Sequence, residues 1–438
     1  MFIKEILATS LPTTLKTWFA RVTWSRITFA FFLIALVSGV AQTTIQTIAL
    51  SISARGRNLV SGTINAAGVQ RGFVVVQGSA IEICSGIPIV QGTMCAVAYN
   101  GSMKGEGVYL RQSYSRQQQL MQAADSQGGN VTRRGFEGFP IIKNGGVAAV
   151  NAIILNSSVP PATLSIQCVQ SLTWLESFLR EARSENVVHI VFQVWLFTMS
   201  LVALIDESIP HLIIVLVAQI MNTAWTGFRI YTGGVAKQTY EQLIVNGACG
   251  GVDILGGWWE GGMRYEILGV NAGILLCMLF LVFKLVKVYS KETFSSIGSS
   301  PIVNRALKWT LWMRVSMQFA TIFTMTSAAI WYDKRKTDII PSYSRNTLYD
   351  AGFILVAVGS QSIRHENRRL FFVFALLSIV FLVVSGLWFG STLFRYELDT
   401  WPFFAAVTTM ADILLMITCV LALICRVHFG SGLAHFRE

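Results

Sequence analysis

Eight long apolar runs follow one another along the chain, and polar or charged segments separate them. A helix needs about 20 predominantly apolar residues to cross the ~30 Å hydrocarbon core of a bilayer. The pattern therefore predicts an α-helical polytopic membrane protein with about eight transmembrane helices. The predicted spans are residues 27–49, 188–206, 209–231, 266–288, 309–331, 346–363, 370–394 and 401–425.

The span 346–363 is the weakest of the eight, because it is short and contains Asp350 and Gln361. The distribution of Lys and Arg supports it, since short cytoplasmic loops carry an excess of these residues. Eight spans place 14 Lys/Arg in cytoplasmic segments and eight in short outer loops, whereas omitting 346–363 gives ten against 12. We therefore expect both termini in the cytoplasm, with the basic cluster DKRKTD at 333–338 as an exception on the outer side.

The chain begins with a basic segment followed by an apolar run, which is the pattern of both signal peptides and signal anchors. Residues 1–26 are unusually long for the basic n-region of a signal peptide, and no clean small-x-small cleavage site follows the apolar core. We favour a cytoplasmic N-terminus at 1–26 and an uncleaved transmembrane signal anchor at 27–49. Residues 188–425 then form a seven-helix membrane bundle, and 426–438 form a cytoplasmic tail.

Residues 50–187 differ in composition, because short β-rich runs alternate there with Gly, Asn and Ser. They predict a small β-rich extracytoplasmic domain between the first and second helices. The predicted runs are 72–78, 87–92, 94–101, 107–112, 147–155 and 162–168.

The domain ends in a segment with helical periodicity, LTWLESFLREARSEN, which can continue into the second span as a stalk. This helix either links the outer domain to the bundle or only packs on that domain, and the sequence favours neither.

The chain is 53% hydrophobic and 13% charged, where soluble proteins carry about 25% charged residues. Its net charge of +11 is scattered over segments that flank the apolar runs and forms no single basic face. This arrangement indicates anchoring to a lipid bilayer and excludes nucleic acid as the expected partner.

No hydrolase, phosphate-binding or metal motif is present: HExxH, GxSxG, GxxxxGK[ST] and DxD are absent. The five histidines lack the close clustering that metal sites need. We therefore expect no enzymatic activity, no cofactor and no metal ion.

Polar residues inside predicted spans are costly and are the default functional candidates. Asp412 lies near the middle of the last span, where it is either a proton- or cation-coupling carboxylate or a hydrogen-bonding group that holds helices together. Its candidate partners are Asn222, Gln219, Asn271, Arg314 and Gln318.

Four cysteines, Cys84, Cys95, Cys168 and Cys249, fall on the predicted outer side, where an oxidising compartment permits two disulfides. Three connectivities exist, and we favour Cys84–Cys95 with Cys168–Cys249. Cys425, at the cytoplasmic end of the last span, is a candidate for lipidation. Three N-x-S/T sequons in the outer domain predict glycosylation at Asn100, Asn130 and Asn156.

The stretch NGACGGVDILGGWWEGG at 246–262 has the composition of a site, with many glycines, a Trp pair, an Asp, a Glu and Cys249. Its glycines do not follow the phosphate-loop spacing, and the topology places it in an outer loop. We expect Cys249 to form a disulfide and the Trp pair to lie at the outer membrane interface.

Several motifs from residue 168 onward resemble, in order, a group of multi-spanning membrane proteins of basidiomycete fungi that have no assigned function. The resemblance implies a shared helix bundle and a fungal source, and it implies no activity. The chain departs from the family around 339–369, where members carry a longer apolar span. The motifs are CVQSLTWLESFLREA, SLVALIDESIPHLI, TAWTGFRIY, VNGACGGVDIL, FKLVKVYSKETFSSIGSS, RYELDTWPFFAAVT and ICRVHFGSGLAHF.

These features favour a non-catalytic receptor, sensor or surface-interaction protein of the plasma membrane or secretory pathway. It would have an extracellular or membrane partner and a glycosylated ectodomain. A transporter or channel that uses polar groups around Asp412 is the alternative. Gly386-x-x-x-Gly390 permits close packing, either within the bundle or in a homo-oligomer.

Overall fold

The computed structural model describes residues 21–69, 71–88, 90–101, 139–143, 146–152, 162–256, 263–296, 301–337 and 368–427. Most of these residues are helical. The helices are α1 (Arg26–Ala66), α2 (Ile166–Ile205), α3 (Ile209–Thr239), α4 (Met263–Ser296), α5 (Pro301–Thr337), α6 (Arg368–Trp388), α7 (Thr392–Thr400) and α8 (Pro402–Val427). A π-helical segment, Tyr240–Ala248, continues α3 directly.

Five of the described helices are long and apolar enough to cross a membrane: α1, α2, α3 with its π-helical continuation, α4 and α8. A sixth is obtained when α6 and α7 are counted as one broken span, because they meet at an angle of 83°. The chain therefore has the helix lengths and compositions of a membrane protein.

The helices differ from the predicted spans mainly at their ends. Helix α1 continues to Ala66, well past the predicted end of the first span at residue 49, and α4 continues to Ser296, past the predicted end of the fourth span at residue 288. The span predicted at 370–394 ends at Trp388. Apolar length identifies a bilayer crossing, whereas flanking polar residues of good helix propensity can extend the same helix.

Two predicted spans have a different outcome. Helix α5 contains the predicted span 309–331 but is not among the helices that are apolar enough by composition to cross a membrane. The predicted span 346–363 lies outside the described residues.

The chain divides into two compact units. Unit 1 comprises Met1–Thr47, Glu185–Gly227 and Glu266–Glu438, and unit 2 comprises Ile48–Ser184 and Phe228–Tyr265. Helices α1, α2 and α3 each contribute residues to both units.

The described residues of unit 2 form two antiparallel sheets of three strands each, in the orders β1-β2-β3 and β4-β5-β6. In the first sheet, β1 and β2 are joined by Gly78 and Ser79, and Gly78 has the positive φ of 59° that a two-residue hairpin turn requires. The strands are β1 (Phe73–Gln77), β2 (Ala80–Cys84), β3 (Cys95–Asn100), β4 (Phe139–Lys143), β5 (Gly146–Ala152) and β6 (Ala162–Ser165).

The predicted β-rich character is present, but the individual strands agree only in part. The runs 72–78, 94–101 and 147–155 overlap β1, β3 and β5, whereas β2 and β4 were not predicted. The run at 162–168 ends as a strand at Ser165, because α2 starts at Ile166. The described residues of the run 87–92 form a loop, and the run 107–112 lies outside the described residues.

The core of unit 2 is formed by residues of the first sheet and of the helices, together with Leu164 of β6 and the loop residues Ile254 and Leu255. Leu172, Leu175 and Leu179 of α2 are fully buried in it, beside Val60 and Ile64 of α1. The segment predicted as a stalk is therefore part of one unbroken helix with the second span, and its apolar face packs within unit 2.

In unit 1, α8 packs against α5 and α6 through a cluster that includes Met313, Phe374 and Leu415. Hydroxyl pairs link α5 to α8: Ser316 Oγ lies 2.9 Å from Thr418 Oγ1, and Ser327 Oγ lies 2.8 Å from Thr408 Oγ1.

The turn between α2 and α3 places Glu207 at φ 47°, in the left-handed region that costs an L-residue ~1–2 kcal/mol. We expect Glu207→Gly to raise the free energy of unfolding slightly, by about 0.5 kcal/mol, because glycine adopts this conformation without the steric cost. Glu207→Val should lower it, since a β-branched residue fits this conformation poorly. Thermal unfolding of the purified full chain measures both effects, with Glu207→Ala as the control for the lost charge. A Val variant as stable as the Gly variant would contradict this explanation.

Candidate functional site

Four helices of unit 1 bring amide side chains together in one buried group, which we call the amide network. At its centre, Asn271 Oδ1 of α4 accepts hydrogen bonds from Gln42 Nε2 of α1 at 2.5 Å and from Asn222 Nδ2 of α3 at 3.4 Å. Asn271 Nδ2 donates to Thr226 Oγ1 at 3.0 Å, and Asn222 Oδ1 accepts from Gln193 Nε2 of α2 at 3.0 Å. A polar group in an apolar interior must be paired, so these bonds favour one relative depth and rotation of α1 to α4.

Gln219 is the exception within this polar region. It precedes Asn222 by three residues and lies on the same side of α3. Gln219 is also fully buried, yet its Nε2 has no hydrogen-bond partner among the described residues. An unpaired buried amide costs ~1–3 kcal/mol. Its Nε2 is therefore a donor that a water molecule or another polar group can use.

A second polar group surrounds His211, which is completely buried at the start of α3. Its Nδ1 lies 2.8 Å from Ser208 Oγ, and its Nε2 lies 3.2 Å from Gln318 Oε1 of α5. A neutral imidazole that donates from Nε2 and accepts at Nδ1 satisfies both contacts. Arg314 of α5 lies nearby in the chain and pairs with Asp206 at 3.9 Å, where both side chains are partly exposed.

The structure corrects the partners expected for Asp412. Its Oδ1 accepts a hydrogen bond of 2.7 Å from Ser385 Oγ of α6, a residue that the sequence analysis did not consider. The five residues proposed as its partners instead lie in the two groups described above. Their helices were identified correctly as apolar segments, but the rotation of each helix about its axis decides which side chains meet. Asp412 is half-buried and hydrogen-bonded, which is the arrangement of a polar group that links two helices.

The ion pair with the least exposure among the described residues joins α5 to α7. Lys334 Nζ lies 2.8 Å from Glu397 Oε2, and the two side chains are only 8% and 6% exposed. Lys334 Nζ also lies 5.0 Å from the centre of the Trp401 ring, whose Nε1 donates to Glu185 Oε1 of α2 at 2.9 Å. This pair was not predicted from the sequence, where Lys334 is part of the basic cluster 333–338.

Unit 2 contains two disulfide bonds, Cys84–Cys95 and Cys168–Cys249. Both are the pairings that the sequence favoured among the three connectivities. The first closes the connection between β2 and β3, and the second joins the start of α2 to the residue that follows the π-helical segment. Cys277, Cys419 and Cys425 are free.

The glycine-rich stretch is described as far as Gly256, so Trp258 and Trp259 lie outside the described residues. Gly250 and Gly251 have φ angles of 61° and 95°, which glycine adopts readily. Asp253 Oδ1 accepts hydrogen bonds from Tyr240 OH at 2.7 Å and from Leu255 N at 3.0 Å. The Asp and the Cys of this stretch thus hold the loop in place, and Ile254 and Leu255 enter the core.

Gly247 lies so close to Tyr99 that a Cβ atom there would come within 2.7 Å of the tyrosine ring. We expect Gly247→Ala to lower the free energy of unfolding by about 1–2 kcal/mol, because the ring must move. The matched control is Gly234→Ala in α3, where a Cβ meets nothing within 4 Å, and where alanine should stabilise the helix by about 0.5–1 kcal/mol. Thermal unfolding of the full chain compares the two. Equal effects of the two substitutions would contradict this packing.

The remaining candidates from the sequence are the glycosylation sites and the lipidation site. Asn100 ends β3, whereas Asn130 and Asn156 lie outside the described residues. Cys425, the lipidation candidate, is 3% exposed and packs in the cluster between α5, α6 and α8. An acyl group can reach its thiol only if this end of α8 moves. Among the described residues, no group of three or more His, Cys, Asp or Glu side chains is placed to hold a metal ion.

Comparisons with protein-family models, with curated proteins and with solved structures found no match to this chain. The fold defines a helical protein with several helices of membrane-spanning length and a disulfide-bonded unit that contains small sheets.

Proposed function

We propose that the chain is a non-catalytic receptor, sensor or surface-interaction protein, multi-pass in the plasma membrane or the secretory pathway. Unit 2 is its extracytoplasmic part. The two disulfides of unit 2 support this orientation, because disulfides form and persist in oxidising compartments. The separate hydrophobic core of unit 2 supports an outer domain that keeps its own structure.

The observation that carries this proposal is the exposure of apolar side chains between Cys84 and Cys95. We call the described residues of this segment, 85–88 and 90–94, the apolar loop. Its backbone is held by hydrogen bonds from Ser85 N to Met94 O at 2.9 Å and from Val90 N to Ile87 O at 3.0 Å. Met94 is nevertheless 81% exposed, and Val90 is also exposed. A preorganised loop with exposed apolar side chains loses little conformational entropy when a partner covers it.

A photo-reactive side chain at position 94, in the full chain on intact cells, tests this interaction surface. We expect a discrete cross-linked product there, and none from the same side chain at Gln77. Gln77 is exposed too, but it lies at the opposite end of the β1–β2 pair from the disulfide. Equal labelling at both positions, or none at position 94, would contradict the proposed surface.

The same proposal includes eight transmembrane helices, cytoplasmic termini, and glycans at Asn100, Asn130 and Asn156. The resemblance to fungal multi-spanning membrane proteins supports it, as does the distribution of Lys and Arg. A C-terminal epitope that antibodies reach only after permeabilisation is the expected result, and an epitope accessible on intact cells would exclude eight spans. Asn→Gln at all three sequons should remove a mobility shift that endoglycosidase also removes.

Transport is the second candidate, and the buried amide network with the unpaired Nε2 of Gln219 is the observation that favours it. Asp412 is the coupling group expected from the sequence, so the variant Asp412→Asn distinguishes a transporter from a surface-interaction protein. A surface-interaction protein keeps both its fold and the cross-link at position 94 in this variant. A transporter instead loses an ion flux, measured in proteoliposomes across a pH or sodium gradient, while its unfolding temperature stays unchanged.

A further inference from the structure

An apolar groove of about 320 Å³ lies between α1 and α4 within unit 1. Its walls are formed by Leu33 and Val37 of α1 and by Val270 and Ile274 of α4, and the small residues Gly273 and Cys277 lie along it. A Cβ atom at Gly273 would meet nothing within 4 Å. The volume lies at the lower end of the ~300–1,000 Å³ range of ligand sites, which are also mainly apolar.

The two helices run in opposite directions at this groove. At one end of the groove, Gln42 of α1 is hydrogen-bonded to Asn271 of α4. From that end, the lining residues of α1 lie toward the start of their helix, and most of those of α4 lie toward the end of theirs. Arg26 lies seven residues before Leu33, and Lys284 lies seven residues after Cys277. Seven residues are nearly two helical turns, or about 10.5 Å, so each cation lies on the groove side of its helix and at the same end of the groove.

Three cations at this end have no acidic partner among the described residues. Arg26, Lys284 and Lys287 are exposed, and none of them forms an ion pair with a described residue. The amines of Lys284 and Lys287 lie over the rings of Phe280 and Phe283, at 5.5 Å and 4.4 Å from the ring centres. Both rings are largely exposed, which fits side chains that face acyl chains while their lysines reach the membrane surface.

We propose that this groove binds an anionic phospholipid, with one acyl chain between α1 and α4 and the phosphate between Arg26 and Lys284. Lys287 adds a second lysine one turn farther along α4. The predicted topology places these cations at the cytoplasmic surface, where anionic lipids are concentrated. The site is separate from the apolar loop and does not depend on the proposed surface interaction.

The same charges disfavour a second copy of the chain as the occupant. Gly269 and Gly273 are spaced as in a helix-pairing motif, but a two-fold dimer about an axis normal to the membrane would bring both sets of Arg26, Lys284 and Lys287 to the same depth on facing surfaces. Like charges at such an interface repel. A neutral lipid would leave the three cations without a counter-charge.

Native mass spectrometry of the delipidated full chain tests the site, with phosphatidylserine and phosphatidylcholine of identical acyl chains as probes. We expect phosphatidylserine to bind about tenfold more tightly. The double variant Lys284→Gln/Lys287→Gln should lose most of this preference. Its matched control is Arg305→Gln/Lys308→Gln, which removes two exposed cations from the start of α5 and should keep the preference.

A second pair of variants tests the groove itself. Gly273→Leu fills it and should weaken phosphatidylserine binding about tenfold or more, whereas Gly386→Leu, also at an open position of an apolar helix, should not. Unchanged unfolding temperatures exclude misfolding as the cause. The proposal is overturned by equal binding of the two lipids, by equal losses in the two charge variants, or by Gly273→Leu abolishing a dimer while lipid binding persists.

Discussion

Replacing both Cys168 and Cys249 with serine should lower the free energy of unfolding of unit 2 by about 4.5 kcal/mol. This bond joins residues 81 apart, and a cross-link that closes a longer loop removes more entropy from the unfolded chain. The bond between Cys84 and Cys95 closes a separation of only 11, so its loss should cost less, about 3 kcal/mol.

Pulse proteolysis of the full chain in increasing urea, with fragments mapped to unit 2, measures these two losses. The matched control is Cys277→Ser/Cys419→Ser, which removes two free cysteines of unit 1 and should leave unit 2 unchanged. The expected result is a larger loss of stability without the Cys168–Cys249 bond than without the Cys84–Cys95 bond. No loss in either serine pair would mean that unit 2 does not depend on its disulfides.

The second large effect is expected at the buried pair of Lys334 and Glu397. Either single substitution to alanine should lower the free energy of unfolding by about 3–5 kcal/mol, because it breaks an ion pair whose two side chains are both buried. The double variant Lys334→Met/Glu397→Leu should be far less destabilised, since it buries no charge. Trp401, whose ring lies beside Lys334, makes the cost of removing Glu397 alone somewhat smaller.

Thermal unfolding of the full chain in detergent compares the single alanine variants with the double variant. The exposed pair of Lys237 and Glu241, at 3.5 Å and four residues apart on a helix, is the control and should contribute at most about 0.5 kcal/mol. Single variants of Lys334 and Glu397 that lose no more stability than those of Lys237 and Glu241 would contradict the burial of this pair.

Apolar length was sufficient to locate α1 to α4 and α8, because the requirement for about 20 apolar residues is nearly independent of tertiary structure. The cysteine pairs were also accessible from the sequence, since the topology limited them to four residues and three connectivities. The strand β2 was missed although AIEIC alternates. The loop run IPIVQG was mistaken for a strand, although Pro88 weakens such an assignment.

The contacts inside the bundle were not predictable in the same way. Asp412 and the amide residues were identified as candidates. Whether Asn271 meets Gln42 or Asp412 depends on how each helix is rotated about its axis, and the sequence does not give that rotation. Lys334 looked like a surface cation, because its partner Glu397 comes more than 60 residues later, on a short helix after a sharp bend. Burial of such a pair is a property of the packed fold alone.

We propose that unit 2 faces the oxidising side of the membrane while the apolar helices cross it. Labelling of sealed cells with a membrane-impermeant maleimide polymer, before and after a membrane-impermeant reductant, tests this most directly in a Cys277→Ala/Cys419→Ala/Cys425→Ala variant. That variant keeps only the four cysteines of the two disulfides. We expect no labelling before reduction and labelling of the intact cells after it. Cysteines that become reactive only when the membrane is dissolved would contradict the claim.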